Sequence, residues 1–327
     1  MLLKLILCIL ILAAAALLES RRERSALKTE FYGFRSAKIR ERCRIVFLCD
    51  LHGASFGPGN ERLIEKVRAL KPDLILSGGD LITAGGVCLR PPQKTREVAE
   101  LVGRLCGICP VILTHGNHET RFEARFPEEY GAYEAALKET GAVLLRNGRL
   151  DLEEKGISIY GAEPELRYFR AVHKYAPSFG HLGLRRKLTP MPEDYLEKLL
   201  GAAGKDSFAL LLLHTPLYLK ESAAWGADLV LSGHFHGGTI RVPFLGGLMT
   251  PQFQFFLKEC SGLHHEKDCT MLVSRGLGTH SVNIRLNDLP EISCIDLLPE
   301  AAETAAEKRA ADASPAEETT PETAERN

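Results

Sequence analysis

Along the chain, short apolar runs that end in polar turns alternate with segments apolar on one face only. Residues 44–50 (RIVFLCD) form such a run and predict a strand buried on both faces. Residues 61–70 place Leu63, Ile64, Val67 and Leu70 on one side of a helix that stops before Pro72. A strand over 73–77, a helix over 96–105 and a strand over 110–114 complete a βαβαβ start. A helix over 129–138 and strands near 142–146 and 156–160 extend it, and 208–214, 228–232, 271–274 and 291–297 add four more strands. Residues 164–192 lack periodicity and carry Arg167, Arg170, Arg185, Arg186 and Lys187, as a long basic loop would. In open α/β sheets, ligands gather beyond the carboxyl ends of the strands, where these polar turns fall.

One run is different in kind. Residues 5–18 are apolar without interruption behind Lys4, and counting from Met1 the stretch is a marginal match to a ~30 Å hydrocarbon core. A secretory leader is the rival reading, with Ala14 and Ala16 as small residues for cleavage. Nine basic residues against three acidic ones occupy 20–44, and positive charge beside a membrane helix favours the cytoplasmic side. The expected organisation is an anchor over 1–18, a basic juxtamembrane linker over 19–43, one domain over 44–298 and a tail over 299–327. The tail has eight acidic residues against three basic, and beyond Glu300 no aromatic, Leu, Ile, Val or Met, so disorder is expected there.

The whole chain of 327 residues carries a net charge of −1, which gives no support to nucleic acid as a partner. Its 45% hydrophobic content is ample for one large core and excludes a wholly disordered chain. Nine cysteines scattered through apolar strands read as reduced, buried thiols, the Cys106–Cys109 pair included.

The chemistry lies in the turns at the ends of the apolar runs. In order these hold Asp50 and His52, then Asp80 in a Gly-Gly-Asp turn, then Asn117, His118 and Glu119, then His214, then His234 and His236. Asp, Asn and His supply oxygen and nitrogen donors suited to Mn2+, Fe2+ or Zn2+, and no cysteine sits among them. Seven candidate ligands (Asp50, His52, Asp80, Asn117, His214, His234, His236) exceed the needs of one ion and suit two that share a carboxylate bridge. Asp80 is the natural bridge, because one imidazole nitrogen cannot serve two metals. Paired ions about 3.5–4 Å apart are a common device for hydrolysing phosphate esters.

At these residues the chain resembles the calcineurin-like metallophosphoesterase superfamily, from about residue 44 to 298. Within it, GGDL, GGTIRVPFLGGL and SRGLGTHSVNIRLNDLPEIS look similar to a membrane-anchored bacterial branch that includes enzymes cleaving the pyrophosphate of UDP-diacylglucosamine. The resemblance implies a four-layer αββα sandwich of two mixed sheets flanked by helices. It also implies that Asp50, His52, Asp80 and His236 hold one metal and that Asp80, Asn117, His214 and His234 hold the other. A bridging hydroxide would attack phosphorus in line. His118 would stay off the metals and stabilise or protonate the leaving oxygen, with Glu119 as its orienting partner or a substrate contact. Phe235, Thr83 and His280 depart from the commonest family form, which bears on substrate choice and removes no ligand. His115 reads as a supporting residue.

A phosphate substrate calls for positive charge beyond the metals, from Arg241 and the 164–192 loop. Residues 240–249 and 253–257 are apolar just past the last ligand and suit either core or a lip that meets lipid. The expected activity is membrane-tethered hydrolysis of a phosphodiester or pyrophosphate in a lipid or nucleotide-lipid. Two rivals remain: a phosphodiesterase or phosphomonoesterase on soluble substrates, and a non-catalytic metal-binding scaffold.

Overall fold

The computed structural model describes residues 1–84, 90–169, 178–180, 183–185, 189–251, 254–279 and 283–300. His280, the tail over 301–327 and much of the 164–192 loop, including Arg170, Arg186 and Lys187, lie outside the described residues.

Two six-stranded mixed sheets face each other. Across the first lie Lys28–Ser36, Glu291–Pro299, Cys43–Leu48, Leu74–Ser77, Val111–Leu113 and Val143–Leu144. Across the second lie Gly262–Glu266, Cys269–Val273, Leu229–Ser232, Phe208–Leu213, Ile157–Ala162 and Gly148–Leu152. Their central strands run parallel, with Val46 opposite Ile75 in one sheet and Leu211 opposite Val230 in the other.

Strand alternation explains why the apolar runs are unbroken. Successive side chains point to opposite faces, and here each face meets a different core. Ile45 and Phe47 turn inward to the other sheet's Leu210, Leu212 and Leu231. Val46 and Leu48 turn outward beneath the helices Glu61–Ala69 and Thr95–Cys106, meeting Leu63, Val67 and Val102. On the second sheet Ala209, Leu211 and Leu213 turn outward to Leu196 and Trp225 of the helices Tyr195–Leu200 and Leu219–Trp225. Helix, sheet, sheet and helix therefore stack in four layers, as expected. Among the described residues all eight cysteines are free, and five of them are buried.

The stretch over 19–43, expected as a linker, is folded. A helix runs through Leu2–Ser25, and Lys28–Ser36 joins the first sheet parallel to Glu291–Pro299. Leu27 enters the outer core, and Tyr32 and Phe34 pack on the core between the sheets. Glu30 and Arg35 interrupt the apolar pattern because an edge strand keeps much of itself in water, and that hid the strand in the sequence. The helix is long and apolar enough to cross a membrane, and its residues up to Ala15 are exposed. Past the last histidine, Arg241–Val242, Gly246–Met249 and Phe255–Leu257 form a small antiparallel sheet. The turn between its first two strands leaves Phe244 98% exposed.

Candidate metal centre

Five parallel strands end at one rim, and each delivers part of the site from the turn just beyond it. Cys43–Leu48 leads to Asp50 and His52, Leu74–Ser77 to Asp80, Val111–Leu113 to Asn117, Phe208–Leu213 to His214, and Leu229–Ser232 to His234 and His236. Asp50, His52, Asp80, His234 and His236 all hold left-handed backbone, with φ between 49° and 69°. That conformation is costly for side-chain-bearing residues and persists where the surroundings enforce it, as they do at functional sites. The enforcement is visible at two glycines. A Cβ on Gly116 would lie 2.2 Å from Asp80 Oδ1, and one on Gly233 would lie 2.2 Å from Asp50 Oδ2.

Six of the seven expected ligands converge. Asp50, His52 and His236 form one group whose ligand atoms lie within 4.8 Å of one another, and Asp80, His214 and His234 form a second. Between them, His52, Asp80 and His118 make a third. His52 Nε2 stands 3.8 Å from Asp50 Oδ1 and 3.9 Å from Asp80 Oδ2, while His214 Nε2 is 3.0 Å from Asp80 Oδ2. Asn117 opens the helix Asn117–Arg125 and is 1% exposed.

Three of the rings are held in the tautomer a metal needs. The Nδ1–H groups of His52, His214 and His236 donate to the carbonyls of Ile82 (3.2 Å), Gly78 (2.7 Å) and Gly278 (3.1 Å). Their Nε2 lone pairs are thereby left for the centre. The Nε2 atoms of His52 and His236 face each other at 3.2 Å. Two lone pairs at that distance repel unless a cation lies between them. Asn117 Oδ1 is buried without a hydrogen-bond partner among the described residues, an expensive state that a cation relieves. The donor set and its orphaned oxygen fit divalent metal.

Charges in the cluster arise from crowding. Burial pushes Asp50 up to about 6 against the pull of His214. Burial also acts on Asp80, but His214, His118 and His52 outweigh it and hold its carboxyl well below the usual range. His214 loses hydration, yet Asp80 and Asp50 raise it to about 9, so that without metal its ring is protonated at neutral pH.

His118 and Glu119 come directly after Asn117 on the same helix. The Ala84 N–H donates to His118 Nδ1 at 2.8 Å, placing the ring proton on Nε2, which is 3.8 Å from Asp80 Oδ2. Glu119 is 2% exposed and accepts four backbone N–H groups: Asp80 (2.8 Å), Gly116 (3.0 Å), Leu81 (2.7 Å) and Ile82 (3.3 Å). Both carboxylate oxygens thus bind the two ligand loops together instead of facing a substrate. Arg241, the other expected substrate contact, donates to Gly237 O (3.1 Å) and Ser261 Oγ (2.6 Å), and so supports the small sheet. His115 is buried between Glu163 (3.0 Å) and the Tyr130 hydroxyl (3.0 Å), away from the ligand groups. Phe169, which sequence reasoning passed over, packs 5.3 Å from the His234 ring and 6.0 Å from the His214 ring. Backbone carbonyls that orient the rings leave no sequence signal at all.

Comparison with known proteins agrees with this geometry. Residues 43–238 match the model of the family described as calcineurin-like phosphoesterase. The phosphodiesterase YaeI of Escherichia coli (strain K12) is 28% identical over 260 residues, covering 78% of this chain and 82% of the relative. The uncharacterized metallophosphoesterase YkoQ of Bacillus subtilis (strain 168) is 23% identical over 262 residues, or 78% and 83%. The uncharacterized protein YpbG of the same organism is 25% identical over 274 residues, or 83% and 87%. The family match spans every turn that carries the clustered Asp, Asn and His side chains, and the chain belongs to the calcineurin-like phosphoesterases, a family of metal-dependent enzymes.

Proposed function

We propose that the chain is a membrane-tethered phosphoesterase with two divalent ions, Mn2+, Fe2+ or Zn2+, acting on a phosphodiester or pyrophosphate bond in a lipid or nucleotide-lipid. The observation that carries this is Asp80, a single buried carboxylate within reach of both ligand groups. Asp50, His52 and His236 would complete one ion's donors around it, and Asn117, His214 and His234 the other's. Such ions, when bound, supply Lewis acidity toward phosphoryl oxygens and bring the ionisation of water toward neutral pH.

The chain's own residues do the rest. Asp50 is braced by the His234 N–H (3.1 Å), and Asp80 by the His118 N–H (2.8 Å). The ring of His118 presents its Nε2–H toward the space between the ligand groups, where it donates to an oxygen of the phosphoryl or leaving group. With the Ala84 N–H bonded to Nδ1, His118 directs its Nε2–H at the developing charge on the leaving oxygen. A non-catalytic scaffold is disfavoured, since such a role needs neither six converging donors nor this donor beside them.

The basic stretch over 20–44 supports a cytoplasmic face for the domain. The helix end is bonded to the body, which supports an uncleaved anchor over an excised leader. The test is Mn2+-dependent hydrolysis of an aryl phosphodiester beside an aryl monoester by the full chain in detergent. Diester turnover is expected in the wild type and none in Asp80→Asn, which should also bind both ions more weakly. Full turnover by that variant overturns the proposal.

A further inference from the structure

The membrane helix does not end at the surface of the body. Ser20 and Glu23 are buried at 2% and 4% exposure. Ser20 Oγ accepts the Arg285 N–H at 3.0 Å, and the Glu23 carboxylate accepts the N–H groups of Asn287 and Asp288, each at 3.0 Å. These bonds fix the rotation of the helix and so decide what each face meets. Arg21, Arg24 and Ser25, spaced as one helical face, line a cavity of about 650 Å3 whose wall also contains His52 and Lys94. Arg22 lies off that face, exposed and paired with Glu19. Arg24 Nε is shielded from water without a hydrogen-bond partner.

One cavity thus joins a proposed metal ligand to cations supplied by the membrane-crossing segment. Charge on the scissile phosphate is met by metals and His118, so this row suits an additional anionic group. Its depth points to the source. Arg21 and Arg24 lie about 4.5 Å and 9 Å along the helix beyond Leu18, where the apolar run ends. Headgroups occupy roughly 5–8 Å outside the hydrocarbon on each side. The exposed Phe244 tip belongs to the same edge, because its hairpin starts at Arg241, whose carbonyl accepts from Asn287, the residue that also binds Glu23.

Resting on the phosphoesterase reading, we infer that the anchor helix is part of the substrate site. Arg21 and Arg24 receive an anionic headgroup of a lipid from the bilayer that holds the helix, beside the metal centre at His52.

The test is calorimetric binding of dihexanoyl phosphatidic acid to the full, Mn2+-loaded chain in detergent, with glycerol 3-phosphate as the soluble counterpart. The lipid is expected to bind more tightly than glycerol 3-phosphate. In R21Q/R24Q its affinity should fall about tenfold or more, the loss of a charge-assisted contact, whereas R22Q, which removes charge from another face of the same turn, should leave it unchanged. Equal loss in R22Q would mean general surface attraction, and equal affinity for glycerol 3-phosphate a site for soluble anions; either overturns the inference, as does absent binding or an unaffected double variant. Aryl phosphodiester turnover by the wild type is read separately, so failure of the parent reading shows there and not in the binding arms.

Discussion

Replacing Glu119 by Gln tests whether the ligand loops are held by one buried carboxylate. In the wild type, Oε2 accepts from Asp80 and Gly116, and Oε1 from Leu81 and Ile82. A glutamine keeps one acceptor oxygen and turns an NH2 group toward the other pair of donors. Two buried N–H groups then lose their acceptor, at about 1–3 kcal/mol each, or roughly 4 kcal/mol together. That is a large share of the ~5–15 kcal/mol that holds a typical domain folded. At about 2–4 °C per kcal/mol for a domain of this size, the melting midpoint should drop by about 12 °C. The displaced N–H of Asp80 belongs to the proposed bridging ligand, so Mn2+ affinity should fall as well. Thermal circular dichroism of the detergent-solubilised chain and Mn2+ titration read the two effects. A midpoint within about 2 °C of wild type and unchanged Mn2+ binding would refute the reasoning.

Metal binding should depend on pH through His214, whose metal-free ring stays protonated up to about 9. An incoming ion must displace that proton, so apparent Mn2+ affinity should rise about tenfold per pH unit from 7 to 9 and level off above; a flat profile in the titration would contradict it. Asn117→Ala should weaken one ion more than the other, read as a stoichiometry near one at limiting Mn2+, and equal weakening of both would argue against the ligand partition. Gly233→Ala should expel Asp50 from its place, because the new Cβ would meet Oδ2 at 2.2 Å and Cys49 Sγ at 2.8 Å; Mn2+ binding retained at wild-type strength would count against that packing.

Strand and helix positions were legible where burial wrote them into the pattern. RIVFLCD reads as a strand because Ile45 and Phe47 serve one core while Val46 and Leu48 serve another. The helix Thr95–Cys106 lies within one residue of the expected 96–105 because its apolar stripe faces a single sheet. The helix Asn117–Arg125 escaped notice, since it starts at the candidate ligand itself and buries mainly Asn117, His118, Glu119 and Phe122. The turns that bear the seven donors could be collected from sequence, as polar residues after apolar strands stand out. Glu119 could not be placed, because its partners are four amides, and amides look alike at every position. Arg21 and Arg24 were visible only as charge; the bonds at Ser20 and Glu23 that aim them join residues 264 or more positions apart.

The edge strand Lys28–Ser36 touches its sheet through Glu291–Pro299 alone. The first strand made therefore waits for the last, and closing so long a loop comes late in folding. The wall that the N-terminal helix contributes to the cavity needs Arg285, Asn287 and Asp288 to hold it. A chain still on the ribosome, or one cut short before residue 285, can pair its central strands without ever completing that wall. Completion of that side of the pocket is thus tied to the closing of the first sheet by Glu291–Pro299.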